Sequence, residues 1–330
     1  LIASLGGGGD LEGAGREEAS LEFYGFVDVI FQHVMGDNEN PWPRLFDTDA
    51  IAVGNVNLYM SGTLSPQWKT LVEVRFTYLP HSTREAISEP GEPPRWGYAI
   101  SQANDYNDVI RPFYWGGIEI ERAWVEYLVH PLVALRVGSW LTPYGIWNVD
   151  HGSPTFIGTR RPYIVGEQLL PERQSGVQVH GSLDTSWATL GYHLTLGNGR
   201  PPLSEYLDLD SDKALGGRLF MRIEPLGELT LGVSGYRGRF TNKSGPVGLD
   251  DKGLVYDVDT LEQYDELSLA ADLLWTWRGI RVQSEAILNE RAYTDEGRPL
   301  HTLPEPRRNL QRLPASDFRR WGAYVVLGYR

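Results

Sequence analysis

The sequence predicts an all-β protein: a transmembrane antiparallel β-barrel in up-and-down meander order, with about twelve strands in this chain. Three observations carry that expectation. Apolar and polar residues alternate with period 2 in stretches of about ten residues, short and long links alternate between the stretches, and Trp and Tyr gather at both ends of them.

A strand places successive side chains on opposite faces, and Trp68 to Leu79 shows this most clearly. Trp68, Thr70, Val72, Val74, Phe76 and Tyr78 share one face, while Lys69, Glu73, Arg75 and Thr77 share the other. Twelve such segments fall near 21–34, 51–64, 68–79, 117–130, 132–141, 174–183, 187–196, 214–223, 229–240, 263–275, 280–290 and 321–330. A period-3.6 apolar stripe, the mark of an amphipathic helix, is almost absent.

The links at 65–67, 130–131, 184–186, 224–228 and 276–279 are tight; those at 35–50, 80–116, 142–173, 197–213, 241–262 and 291–320 are long. Outer-membrane barrels have short periplasmic turns and longer external loops, and their strands of ~9–11 residues turn an apolar face to lipid and a polar one to the lumen. Trp68, Tyr127, Trp187, Trp275 and Trp277 lie next to the short turns; Tyr78, Trp115, Trp140, Tyr236 and Trp321 lie next to the long links. Two aromatic belts are expected at the two membrane interfaces. A soluble propeller or sandwich is the alternative, and it predicts links of similar length with the rings in a core.

Composition agrees with strands that face lipid. The 330 residues are 41% hydrophobic, yet mean hydropathy is only −0.32, and 11 Trp and 17 Tyr stand beside 3 Met. Such rings suit places where one end is apolar and the other wet. A net charge of −13 gives no electrostatic reason to bind nucleic acid. Without Cys there is no disulfide framework, thiolate nucleophile or Cys-ligated metal, and no run of about 20 apolar residues would span a bilayer as a helix. Residues 1–20, opening on Gly6 to Gly9 and then acidic, read as a flexible leader; 21–330 read as the barrel, C-terminally incomplete because the last alternating segment is cut at Arg330.

Parity assigns the lumen. Lys69, Arg75, Arg122, Arg136, Arg218, Arg222 and Arg281 are the basic candidates, and Glu22, Asp28, Glu73, Glu126, Glu266, Asp272 and Glu285 the acidic ones. Seven of each sign make no ring of one charge, and such rings are what confer selectivity. Most of the acid excess lies in the leader and the long links.

The fifth strand and the link after it read Leu135-Arg-Val-Gly-Ser-Trp-Leu-Thr-Pro-Tyr-Gly145, followed by Arg160-Arg-Pro-Tyr163 and Pro171-Glu-Arg-Gln-Ser-Gly176. Over about Val133 to Gly176 this resembles the phosphate-selective porin O/P family, with its R-x-G-x-x-x-x-P-(F/Y)-G turn. The resemblance implies a bacterial outer-membrane channel of sixteen strands, trimeric, passing small hydrophilic solutes through a lumen narrowed by the third long loop. In that loop, 142–173, the candidates are Arg160, Arg161 and Arg173 with His151, for anion contacts, and Asp150, Glu167 and Glu172, which leave it neutral. Pairing within the loop is the competing role of these arginines. The expected partners are outer-membrane lipid, lipopolysaccharide and small hydrophilic solutes. A non-conducting anchoring barrel is the alternative.

No catalytic or cofactor role is expected. G-x-S-x-G, H-E-x-x-H and Walker loops are missing from the sequence, and His151 near Ser153 lacks the third group that would hold a base against a nucleophile, which weighs against a lipid hydrolase. Asp208-x-Asp210-x-Asp212 and Asp250-Asp251 look like the start of calcium loops, but Lys213 stands where Gly is required. These acids are expected to be solvated, with no metal.

Overall fold

The computed structural model describes residues 19–32, 50–79, 86–87, 95–96, 117–149, 162–166, 168–201, 208–225, 227–244, 247–249, 255–257, 260–298, 300–302 and 312–329. The wall strands are β1 (Ser20–Gln32), β2 (Ala50–Thr63), β3 (Trp68–Leu79), β4 (Gly117–His130), β5 (Val133–Leu141), β6 (Arg173–Asp184), β7 (Ala188–Gly197), β8 (Ala214–Ile223), β9 (Glu228–Ser244), β10 (Thr260–Trp277), β11 (Ile280–Tyr293) and β12 (Phe318–Tyr329). They hydrogen-bond in chain order as one twelve-stranded sheet, an all-β up-and-down meander, with β1 and β12 at the two ends of that order. Among the described residues, three short hairpins and one helical turn, α1 (Tyr163–Gly166), lie within the long links. Of the expected leader, 1–18 fall outside the described residues, and Ser20 already belongs to β1.

Contacts divide the chain into two compact units, Leu1–Ser65 with Lys69–Ala123, and Pro66–Trp68 with Trp124–Arg330. In the first, β1 and β2 pair from Ser20↔Thr63 to Gln32↔Ala50, with a register shift between Val27 and Val29. In the second, registers run unbroken from β5 to β12, for example Leu215↔Arg237 between β8 and β9, Arg237↔Leu267 between β9 and β10, and Leu267↔Glu290 between β10 and β11.

Burial is inverted. On the second unit's strands large apolar residues are exposed, Leu219, Val233, Leu269, Val325 and Leu327 among them, while Glu266, Ser268, Glu285, Gln178 and Asn289 on the opposite parity are buried. β12 alternates between exposed and half-buried along its whole length. Water would penalise that apolar display, whereas lipid accepts it and demands that every backbone group be paired within the sheet. This is the wall of a bacterial outer-membrane β-barrel.

Trp68, Tyr127, Trp187 and Trp277 are exposed at the short-turn end and Trp321 is 78% exposed at the other; Trp275 stacks on Trp277 with ring centroids 5.9 Å apart. Trp140 departs from the expected belt. It is 1% exposed and shares parity with Arg136, opposite Gln174, so it belongs to the polar face. Tyr236 is buried in the same way. Nearness to a long link suggested a belt position for both, but side-chain parity decides which face a ring serves. Trp115 and the side chain of Tyr78 lie outside the described residues.

Candidate functional site: the polar face and its inward loop

The polar face of the first unit is tiled with charge pairs. Arg122 Nε donates to Glu73 Oε2 at 2.5 Å, Asn57 Nδ2 donates to Glu73 Oε1 at 2.8 Å, and Arg75 Nη1 donates to Glu121 Oε1 at 3.0 Å. Glu121 is a buried acid of the polar face that strict alternation misses. Ile120 is exposed and Glu121 buried, yet Val125, Tyr127 and Val129 are exposed too, so the parity of β4 changes between Ile120 and Val125. Lys69 is exposed near the short turn.

The same theme recurs in the second unit. Arg136 donates from Nε and Nη2 to Glu126 Oε2, at 2.9 and 2.6 Å, and lies over the Trp124 ring. His180 also meets Glu126 at 2.8 Å and stacks on His193. Arg218 pairs with Asp272, and Glu266 holds Arg200 at 2.8 Å and Arg291 at 3.3 Å. Arg200, from the link after β7, was not a candidate in the sequence because link residues carry no parity. Its charge is reinforced: burial opposes it, but the Glu266 carboxylate outweighs that and raises its pKa. Arg281 is half-buried, and Arg222 is exposed near a short turn.

The third long loop enters this polar face. Its neck is closed by Thr142 N donating to Glu172 O at 3.0 Å, and by Asn148 Nδ2 reaching Thr142 O and Glu172 O at 2.8 and 2.9 Å. Beyond the neck, Tyr144 is 1% exposed, its hydroxyl 2.6 Å from Thr195 Oγ1 and 3.2 Å from Gln174 Oε1. Burial pushes the Tyr144 phenol above its ordinary pKa, against the Thr195 hydrogen bond. Gly145 N donates to Ser234 Oγ at 3.3 Å and Trp147 N to Glu285 Oε1 at 2.6 Å, while Tyr324 Oη donates to the same carboxylate oxygen at 2.6 Å. On the returning limb, Leu169 O accepts from Ser268 Oγ at 2.8 Å and Asn289 Nδ2 at 3.1 Å.

The strands under the loop are shaved to receive it. A Cβ on Gly216 would overlap the Tyr144 hydroxyl, and Ala214, Ala270 and Ile287 form a small apolar floor for Tyr144, Leu169 and Leu170. Gly145 adopts φ +74, which glycine alone takes without cost, and its Cα lies against the Glu285 carboxylate with no room for a Cβ. These two demands place the glycine of the Pro143-Tyr-Gly145 turn. A cavity of about 20 Å³ beside Tyr144 and Glu285 has room for about one water.

Of the loop's charged candidates, Arg173 opens β6 and is half-buried, paired in register with Leu141. Asp150, His151, Arg160, Arg161 and Glu167 lie outside the described residues. The three aspartates with a calcium-like spacing have protein partners: Lys213 for Asp208, the Thr241 hydroxyl for Asp210 and Arg239 for Asp212.

No protein-family model matches the chain. A protein of Aquifex aeolicus (strain VF5), described only as an uncharacterized protein, is 30% identical over 114 residues, which is 32% of this chain and 25% of that one. The match thus spans a quarter of that relative's length. Among solved structures the chain is similar to OmpT (in-vitro folded), an outer membrane protein of Vibrio cholerae, at 14% identity over 86% of this chain and 67% of that one, with a TM-score of 0.41. It is similar also to the loop L8 deletion mutant of the same protein, at 13% identity over 84% and 71%, with a TM-score of 0.39.

Proposed function

We propose that the chain is the wall of a porin, a passive diffusion channel of the bacterial outer membrane for small hydrophilic solutes and ions, narrowed by the inward loop 142–173. The observation that carries this reading is the loop itself, hydrogen-bonded from Gly145, Trp147 and Leu169 onto the polar face of β9, β10 and β11. A constriction must be held against the thermal motion that would sweep it out of the lumen, and these bonds hold it.

On this reading the intact protein resembles the phosphate-selective porin O/P family, with sixteen strands, a trimeric assembly and lipopolysaccharide around it. Ion selectivity is weak, because the inward carboxylates Glu73, Glu121, Glu126, Glu266 and Asp272 each have an arginine partner, and a paired wall presents no ring of one sign. The chain is not an enzyme, and an assay of lipid hydrolysis with the purified protein checks that.

Planar-bilayer recording of the full-length protein tests the channel. Steady ohmic current with a reversal potential near zero in a salt gradient is expected. A silent barrel would favour the anchoring role instead, for which the buried Tyr144 cluster speaks, since a dry seat can plug as well as narrow. A strongly anion-selective current would overturn weak selectivity.

A further inference from the structure

The outward, lipid-facing side of the second unit carries one charge that the sheet leaves uncompensated. Arg237 of β9 is exposed and, among the described residues, makes no ion pair. Register sets it in a row with Leu215 of β8, Leu267 of β10, Glu290 of β11 and Arg319 of β12. The next row toward the short turns holds Gly235, Leu269, Leu288 and Trp321, so the arginines stand just beyond the aromatic belt at the long-link end. Long links mark the external side of such barrels.

Between Arg237 and Arg319 runs a groove of about 590 Å³, floored by Leu267 and Ala292 and walled by Phe318. Its acids already have partners. Asp265 is held by Arg239 at 2.8 Å, Glu266 by Arg200 and Arg291, Glu290 by Arg319 at 2.5 Å, and Asp317 by Arg298 at 3.0 Å. The Arg319–Glu290 pair is largely exposed, so its net worth is small and Arg319 can turn to a better acceptor. An unpaired guanidinium at the edge of the lipid-facing band is unfavourable unless an anion meets it there.

We infer that this groove binds a bis-phosphorylated lipid headgroup of the outer leaflet, with one phosphate on Arg237 and the other on Arg319, and with acyl chains along Leu215, Leu269 and Trp321. Three inter-strand steps separate the two strands that carry the arginines, roughly 14 Å, too far for their backbones to serve one phosphate in common. Guanidinium is suited to this task because its planar fork meets phosphate oxygens in pairs. The apolar floor selects a lipid over free phosphate. The inference rests on the outer-membrane reading above.

The test uses the full-length protein, folded in detergent and titrated with bis-phosphorylated lipopolysaccharide, with the same lipid after phosphatase treatment, and with inorganic phosphate. Wild type is expected to bind the first at least about tenfold more tightly than the second, and inorganic phosphate should not compete. Arg237→Gln and Arg319→Gln should each lose about tenfold for the phosphorylated lipid and nothing for the dephosphorylated one. Arg278→Gln, at a short turn on the opposite rim, should bind as wild type does. Folded, heat-modifiable R237Q and R319Q proteins that bind the phosphorylated lipid as tightly as wild type would overturn the inference alone. Competition by inorganic phosphate would also overturn it, in favour of a free-anion site. A native protein that does not fractionate with the outer membrane would remove the outer-membrane reading itself.

Discussion

Two stretches of the polar face solve the same problem with opposite means. In the first unit, β2 to β4 fill their inner side with long charged side chains, Glu73 against Arg122 and Arg75 against Glu121. Under the inward loop, β8 to β11 offer Gly216, Ala214, Ser234, Ser268, Ala270 and Asn289, short and mostly neutral. Buried polar groups have to be satisfied in both places. Where no loop covers the strands among the described residues, neighbouring strands satisfy each other by ion pairs; where a loop covers them, the side chains shrink and the loop's backbone supplies the partners. Side-chain length on the polar face therefore marks where a second layer lies.

The loop seat gives way most visibly when the loop loses its anchor. Tyr144→Ala removes a fully buried ring and should cost about 3–5 kcal/mol within the loop seat, read as protease cleavage inside 142–173 of the folded protein and as higher single-channel conductance. Unchanged cleavage and conductance would show that the ring only fills space. Gly216→Val forces the Tyr144 hydroxyl aside from the other direction, and it should reproduce the same two changes with a cost of about 1–3 kcal/mol.

Glu285→Gln tests the polar half of the seat. The carboxylate accepts from Trp147 N and Tyr324 Oη, and exchanging it for an amide should weaken the loop by about 1–2 kcal/mol, seen as faster amide exchange at Trp147 with the strands still protected. In the first unit, a double-mutant cycle on Arg122 and Glu73 should return a coupling of about 1–3 kcal/mol. A comparable coupling between Arg218 and Asp272 would confirm that paired charge is the common device outside the seat, and a zero value would reduce the pairs to surface decoration.

The smallest effect is at the rim. Asp317 accepts from Tyr293 N at 2.9 Å and pairs with Arg298, and both hold its pKa below the ordinary 3.8. A carboxyl depressed in the folded state stabilises above its unfolded pKa, and the contribution fades as pH falls through the folded one. Tyr293 amide protection should therefore hold down to pH 3.8 and fall only below it, whereas Asp317→Asn should show the lower protection at every pH.

The strands were legible because one physical rule writes them. Lipid outside and water inside force period 2, and all twelve segments appear within a few residues of their expected bounds. The same rule named Glu73, Glu126, Arg136, Glu266 and Glu285 as inward. It failed at Glu121, where β4 changes parity, and it was set aside at Trp140, where nearness to a link was mistaken for an interface position. The loop seat was hidden for another reason. Thr195, Ser234, Ser268 and Asn289 carry no charge or motif, and their only signal is a run of small inward residues on consecutive strands, which is meaningful once registers align them. The resemblance around Pro143-Tyr-Gly145 pointed to an inward third loop without saying what would receive it.

That reception is lopsided. Among the described residues, the loop's hydrogen bonds to the strands run mostly through main-chain atoms, Gly145 N, Trp147 N, Gln168 O and Leu169 O, met by Ser234, Glu285, Arg200, Ser268 and Asn289, while Tyr144, Leu169 and Leu170 supply packed side chains. A dock that grips main chain is indifferent to most of the letters written on it. Positions of the loop whose side chains stay out of that seat can thus vary while the fastening stays the same.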